Sequence, residues 1–75
     1  MSLGDKDRIV KRLHRIGGQI KAIEKMIEAD TDYDKMMIQM QAVSSAIEST
    51  KIELVRERIK KSVSVELGKA LGSLK

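Results

Sequence analysis

A stripe of apolar residues at alternating steps of four and three runs through the first third of the chain. Its members are Ile9, Leu13, Ile16, Ile20, Ile23 and Ile27. Because an α-helix turns once every 3.6 residues, this spacing places all of them on one narrow side of a helix, as in the seam of a coiled coil or a helix bundle. The stripe predicts a first helix, over residues 5–29, that packs against other helices.

A second apolar stripe predicts another long helix, over residues 32–63. The stripe consists of Met36, Met40, Val43, Ile47 and Leu54, with Thr50 as a polar interruption. A further apolar row consists of Ile38, Ala42, Ile52, Val55 and Ile59. Two rows indicate that this helix has more than one packing neighbour. Between the helices, residues 28–34 (EADTDYD) are rich in acids, and Thr31 with Asp34 predicts an N-cap for the second helix.

The ends of the chain carry weaker signals. Residues 1–4 are predicted to be a disordered tail, and residues 65–74 a weak third helix because they include Gly68 and Gly72. The whole, residues 1–75, is expected to be a single all-α domain. A chain of 75 residues with one Tyr and no Trp or Phe builds only a marginal core on its own. We therefore expect it to bury apolar surface by oligomerising.

A basic stripe lies beside the apolar one on the first helix. It consists of Arg8, Arg12, Arg15 and Gln19, with Lys11 and Lys21 nearby. No acid occurs from Arg8 to Lys21, and the net charge of +4 suggests an anionic partner. The ordinary alternative is a solvated charged face that binds nothing.

Two adjacent glycines, Gly17 and Gly18, interrupt this helix at a cost of about 1 kcal/mol each relative to Ala. One interpretation is that they allow another backbone to approach closely, or mark a slight kink. The other is that they leave room beside the basic stripe for the backbone of a bulky ligand.

Several classes of function are not expected. The chain has no cysteine, which excludes disulfides, thiolate metal ligands and thiol redox chemistry. No run approaches the ~20 apolar residues of a membrane span, and no signal peptide precedes the first helix, so we expect a cytoplasmic protein that does not bind membranes. The one histidine, His14, has no nucleophile at a neighbouring helical position and is interpreted as solvated. We predict neither enzyme activity nor a cofactor.

Two weak metal signals are also set aside. The alternation of Asp30, Asp32 and Asp34 resembles the start of a calcium-binding EF-hand loop, but its sixth position is Lys35 and its twelfth is Gln41. The methionines Met36, Met37 and Met40 offer soft copper(I) ligands, yet methionine more often fills gaps in a core. We predict no metal site.

Three segments together resemble a known family. RLHRIGGQIKAIEKMIEAD, QMQAVSSAIEST and IELVRERIKKSV are similar to the CsoR/RcnR family of bacterial metal- and formaldehyde-sensing transcriptional repressors, over about residues 7–63 without a gap. The resemblance implies a three-helix protomer that forms an antiparallel four-helix-bundle dimer, and a tetramer made of two dimers. It also implies that the basic face grips double-stranded operator DNA. Carried over by position, that face includes Arg12, Arg15 and Gln19, with Arg8, Lys11 and Lys21 nearby.

The chain departs from this family at the sensing site. The family's cysteine, histidine and second cysteine fall on Tyr33, Arg58 and Ser62 in this sequence. A neutral phenol, a permanent cation and a hydroxyl do not make a soft copper(I) or nickel(II) site. The acid that is common in the family's motif is replaced by Gly17, which leaves the basic face less neutralised.

Two functions remain open at this stage. One is a DNA-binding transcriptional regulator, a repressor by resemblance, that has lost the usual metal site and whose effector is unknown. The other is a helical oligomeric interaction module that does not bind DNA.

Overall fold

Two long helices make up the protein. The structure, a computed structural model, describes residues 1–73, in which α1 spans Leu3–Glu28 and α2 spans Tyr33–Ser73. A four-residue connection, residues 29–32, reverses the chain, so that the helices lie antiparallel as a hairpin. The prediction of an all-helical fold is confirmed, and no strand occurs in residues 1–73.

The start of α1 lies two residues before the predicted one. Ser2 adopts an extended backbone, and its hydroxyl accepts a hydrogen bond of 3.1 Å from the backbone N–H of Asp5. This N-cap supplies a partner for an otherwise free helical donor, and Asp5 adds negative charge at the positive end of the helix dipole. Residues 3 and 4 are therefore helical, where the sequence predicted a disordered tail.

A tight turn ends α1. The backbone N–H of Thr31 donates to the Met26 carbonyl at 2.9 Å, and that of Asp30 donates to the Ile27 carbonyl at 3.2 Å. This pair of bonds is a Schellman motif, and Asp30 takes the left-handed conformation, with φ of 50°, that the motif requires. The next helix is capped by Asp32, whose carboxylate accepts from the N–H of Asp34 at 2.9 Å, rather than by the predicted Thr31.

The second helix is longer than predicted. It continues without a break from Tyr33 to Ser73, so the separate third helix expected over 65–74 is wrong for residues 65–73; Leu74 lies outside the described residues. The segment 63–66 contains neither Pro nor Gly, so nothing in it stops a helix, and Gly68 and Gly72 weaken a helix without terminating it.

Only part of each apolar stripe is buried between the helices. On α1 the buried residues are Ile9, Ile16 and Ile23, and on α2 they are Val43, Thr50 and Glu57. Members of each set recur every seven residues, as expected for two helices in contact along one line. The alternate members of the α1 stripe, Leu13, Ile20 and Ile27, stay 41–57% exposed. The hairpin therefore retains a large uncovered apolar surface.

Candidate nucleic-acid interface

Two of the grooves between the helices lie one on each side of the hairpin, and they differ in chemistry. The first, here called the apolar groove, is lined by Leu13, Ile47, Thr50, Lys51, Leu54, Val55 and Arg58. The second, here called the basic groove, is lined by Arg8, Arg12, Ser49, Ile52, Glu53, Arg56, Glu57 and Lys60. The α2 residues that line them lie on opposite sides of buried Thr50, since a turn of 100° per residue places Glu53 about 60° to one side and Leu54 about 40° to the other. One side is suited to packing and the other to an anion.

Glu53 of α2 binds two of the predicted DNA-contacting arginines. Arg8 donates from Nε at 2.6 Å and pairs through Nη2 at 2.5 Å, both to Oε1 of Glu53. Arg12 donates from Nη1 to the other oxygen, Oε2, at 2.5 Å. The remaining Nη1 of Arg8 pairs with Asp5 at 3.1 Å. Glu53 thus links the basic stripe of α1 to α2 across the basic groove.

The ion pairs shift the titration of their members. Hydrogen bonding from Arg8 lowers the pKa of the Glu53 carboxyl from its ordinary value of 4.5, and Arg12 adds to this while partial burial opposes it. The same bond raises the pKa of Arg8. The Ser2 hydroxyl, followed by the charge of Arg8, lowers the pKa of Asp5. These charged groups are therefore ionised at neutral pH.

The other residues of the predicted face are arranged differently. Lys11 pairs with Asp7 at 3.1 Å, one turn earlier on the same helix. Arg15 and Gln19 continue the stripe of Arg8 and Arg12 along α1, and Arg15 makes no ion pair in the described part of the chain. Lys21 lies about 140° around the helix from Ile16, and so away from this stripe. Arg8, Arg12, Arg15 and Gln19 thus share one side of α1, and Glu53 joins the first two.

The basic groove includes residues to which the sequence pattern assigned no role. Glu53 was missed, although it lies as far after the turn as Arg8 lies before it, which is a signal that the two face each other. Arg56 and Lys60 lie close to residue 63, where the sequence predicted the second helix to end and where cations would complement the helix dipole. Because α2 continues to Ser73, these cations lie several turns from its end, beyond the reach of that dipole effect.

The positions that carry the family's sensing ligands do not meet within one chain. Tyr33 begins α2 and is 68% exposed, whereas Arg58 and Ser62 lie about seven to eight turns further along the same helix. A rise of 1.5 Å per residue separates Tyr33 from Arg58 by about 37 Å. No group of three His, Cys, Asp or Glu residues that could hold a metal occurs among the described residues. The side chains of Tyr33, Arg58 and Ser62 supply neither the thiolate nor the imidazole ligands that a soft metal ion prefers.

The two adjacent glycines of α1 have open space around them. A Cβ added at Gly17 or Gly18 would meet no atom within 4 Å. The hairpin itself therefore has no need of either glycine, and a close approach, if they serve one, comes from outside the protomer.

Neither helix, over the described residues, has an apolar stretch long enough to cross a bilayer.

The protomer is a helical hairpin with one basic and one apolar groove. Comparison with known proteins identifies the class to which it belongs. The chain belongs to the family of metal-sensitive transcriptional repressors, whose family model matches residues 5–74. The resemblance inferred from the sequence is thereby confirmed.

Two relatives are similar over most of this chain. The copper-sensing transcriptional repressor RicR of Mycobacterium tuberculosis is 37% identical over 59 residues, which cover 79% of this chain and 62% of RicR. The copper-sensing transcriptional repressor CsoR of Bacillus subtilis is 34% identical over 53 residues, 71% of this chain and 52% of CsoR. The chain thus spans between half and two thirds of the length of these curated relatives. No solved structure matches it.

Proposed function

We propose that this protein is a DNA-binding transcriptional regulator, a repressor, that acts as a homodimer or homotetramer and contacts double-stranded DNA through the basic stripe of α1. The observation that carries the proposal is the alignment of Arg8, Arg12 and Arg15 along one side of a helix that belongs to a repressor family. Guanidinium groups bind phosphate through paired donors, and phosphate contacts supply most of the affinity of such complexes.

The separation of the two grooves supports this function. A second copy that covers the apolar groove would leave the basic groove uncovered, because the grooves lie on opposite sides of the hairpin. Assembly and DNA binding would then use different surfaces. Two copies would also present two basic stripes, which suits a duplex with two half-sites.

We propose further that the response to copper(I) or nickel(II) is lost. Such a site needs soft or imidazole ligands, and this chain offers no thiol and one histidine, His14. The relatives are named as copper-sensing repressors. This regulator then responds to an effector other than copper, or to none.

Binding of the protein to a duplex from upstream of its own gene, measured by fluorescence anisotropy, tests the proposal. Replacing Arg12 and Arg15 together by Ala should weaken binding at least tenfold and reduce the salt dependence by about two log units per tenfold change in salt, one for each phosphate that is no longer neutralised. The control variant, Lys35→Ala with Lys69→Ala, removes the same charge from positions of α2 outside both grooves and should change binding far less. Copper(I) should leave the affinity of the parent unchanged.

The interaction module without DNA binding is the second candidate. It is favoured by the acids that already neutralise Arg8, Lys11 and Arg12 within the protomer. If the parent binds no duplex DNA, this candidate should replace the first. If the parent and the Arg12–Arg15 variant bind duplex DNA equally well, the protein binds DNA through a surface other than the basic stripe of α1.

A further inference from the structure

A single acid occupies the donors that DNA phosphates would use. Glu53 accepts from both Arg8 and Arg12, at 2.5 to 2.6 Å, and its side chain is only 17% exposed. Asp5 takes the remaining nitrogen of Arg8. These four side chains carry two positive and two negative charges, so the part of the basic stripe nearest the start of α1 has no net charge in the free protein.

A carboxylate and a phosphate compete for the same guanidinium. Both accept paired hydrogen bonds from its planar fork, so Arg8 cannot satisfy Glu53 and a phosphate with the same donors. Affinity for DNA also depends on the release of counterions when phosphates are neutralised. An arginine that is already paired with a carboxylate brings a negative charge to the DNA as well. Fewer counterions are then released, and the gain in affinity is smaller.

The surroundings of Glu53 contain further cations. Arg56 and Lys60 line the same groove, and Lys60 pairs at 3.5 Å with Glu57 rather than with Glu53. Removing the charge of Glu53 would therefore leave four cations and one acid around the groove. No other acid of the groove pairs with Arg8 or Arg12 in the described part of the chain.

We propose that Glu53 limits the affinity of the basic stripe for DNA, because it occupies Arg8 and Arg12 in the free protein and must be displaced before they reach phosphates. The proposal rests on the proposed function, since it assumes that the stripe binds DNA. Glu53 is then an internal competitor that holds the regulator below the full affinity of its arginines. Any partner or condition that draws Glu53 away would strengthen DNA binding.

The test compares the parent with Glu53→Gln and with Glu48→Gln on one mixed-sequence duplex over a series of salt concentrations. Glu48 is an exposed acid of the same helix that forms no ion pair within the described residues, so its variant carries the same change in net charge. Glu53→Gln should bind about three- to thirtyfold more tightly than the parent, the range expected for releasing two ion pairs that are partly exposed to solvent. Its salt dependence should steepen by about one log unit per tenfold salt for each added phosphate contact.

Each outcome decides between the two proposals. Tighter binding by Glu53→Gln alone supports the competition. Equal gains in affinity for both variants show that only the net charge of the protein matters, and they overturn the competition. Weaker binding by Glu53→Gln shows that Glu53 positions the arginines, which overturns the competition and leaves the proposed function intact. If no variant binds, both proposals fail.

A second measurement uses the parent alone, in case Glu53→Gln does not fold. The Nε–Hε signals of Arg8 and Arg12 are followed by nuclear magnetic resonance while duplex is added. The competition requires the Arg8 signal to leave its carboxylate-bound position on saturation. A signal that stays at that position in the complex overturns the proposal.

Discussion

At the scale of single residues, the register of the hairpin explains the contact between Arg8 and Glu53. Arg8 lies 21 residues before the connection 29–32 and Glu53 lies 21 residues after it, so an antiparallel hairpin places them opposite each other. The sequence could have predicted this pair once the turn was located. It could not have predicted that the same carboxylate also reaches Arg12, because that depends on side-chain rotamers and on the rotation of α2 about its axis.

The lowered pKa of Glu53 predicts a stability difference that depends on pH. Because the carboxyl titrates below its ordinary value of 4.5 in the folded protein, its ion pairs stabilise the fold above that pH, and the contribution is lost as pH falls through the folded-state pKa. Glu53→Gln should therefore have a lower Tm than the parent at neutral pH, and the two values should converge below pH 4.5. Circular dichroism melts at fixed protein concentration measure both values.

The variant Glu48→Gln serves as the control, since Glu48 forms no ion pair in the part of the chain that the structure describes. Its Tm should follow that of the parent at every pH. A gap between Glu53→Gln and the parent that persists undiminished into the acid range would contradict the assignment.

At the scale of the helices, apolar spacing predicted both elements but not their full extent. The four-and-three stripes lie on α1 and α2 as expected, because periodic burial is a strong signal. The sequence did not predict that Ser2 caps α1 or that α2 continues past residue 63. Cap geometry depends on one side chain, and continuation depends on the absence of a stop signal, so neither produces a periodic pattern. The roles of Gly17 and Gly18 likewise depend on the side of the folded helix on which each glycine lies.

Gly17 and Gly18 should differ in effect because they lie about 100° apart around α1. Gly17 falls on the side of Leu13 and the apolar groove, whereas Gly18 falls on the side of Arg15. Since a Cβ at either position meets no atom within 4 Å, replacement by Ala should stabilise the isolated helix by about 0.5–1 kcal/mol. We expect Gly17→Ala to loosen the oligomer all the same, because a partner's backbone would lose its close approach.

Sedimentation over a dilution series measures the oligomer, and urea unfolding measures stability. Gly18→Ala is the matched control: it should gain helix stability and leave assembly unchanged. If Gly17→Ala strengthens assembly as well, no partner backbone packs closely against Gly17. A second copy then contacts the hairpin at another position.

At the scale of the whole molecule, the hairpin is long, thin and incomplete. It measures 68 × 20 × 11 Å, and its buried apolar residues are only Ile9, Ile16, Ile23 and Val43 within the part that the structure describes. So small a core does not offset the conformational entropy of about seventy ordered residues. The length and composition of the sequence predicted this small buried core. It could not indicate which half of the α1 stripe would face outward, because both halves consist of large aliphatic residues.

The exposed half of the stripes predicts where a second copy binds. Ile47 and Leu13 line the apolar groove, and Ile47 is 46% exposed although it belongs to the α2 stripe. Covering such side chains contributes about 25 cal/mol per Å² of apolar area removed from water, so the assembled state should be favoured at micromolar concentration. A charge placed in the groove would have to be buried on assembly, at a cost of several kcal/mol. We therefore expect Ile47→Glu to sediment as a smaller species than the parent and to lose helicity on dilution.

Ile38→Glu introduces the same charge at a position of α2 that lies outside both grooves and is 66% exposed. It should remain at least a dimer under the same conditions, measured by light scattering at matched concentration. A monodisperse parent of 8.4 kDa that keeps its helicity would show that the hairpin is stable alone. Dissociation of Ile38→Glu together with an intact Ile47→Glu would instead move the interface to the outer face of α2. In that case the basic groove, rather than the apolar one, would lie nearer the second copy, and the separation of assembly from DNA binding would no longer hold.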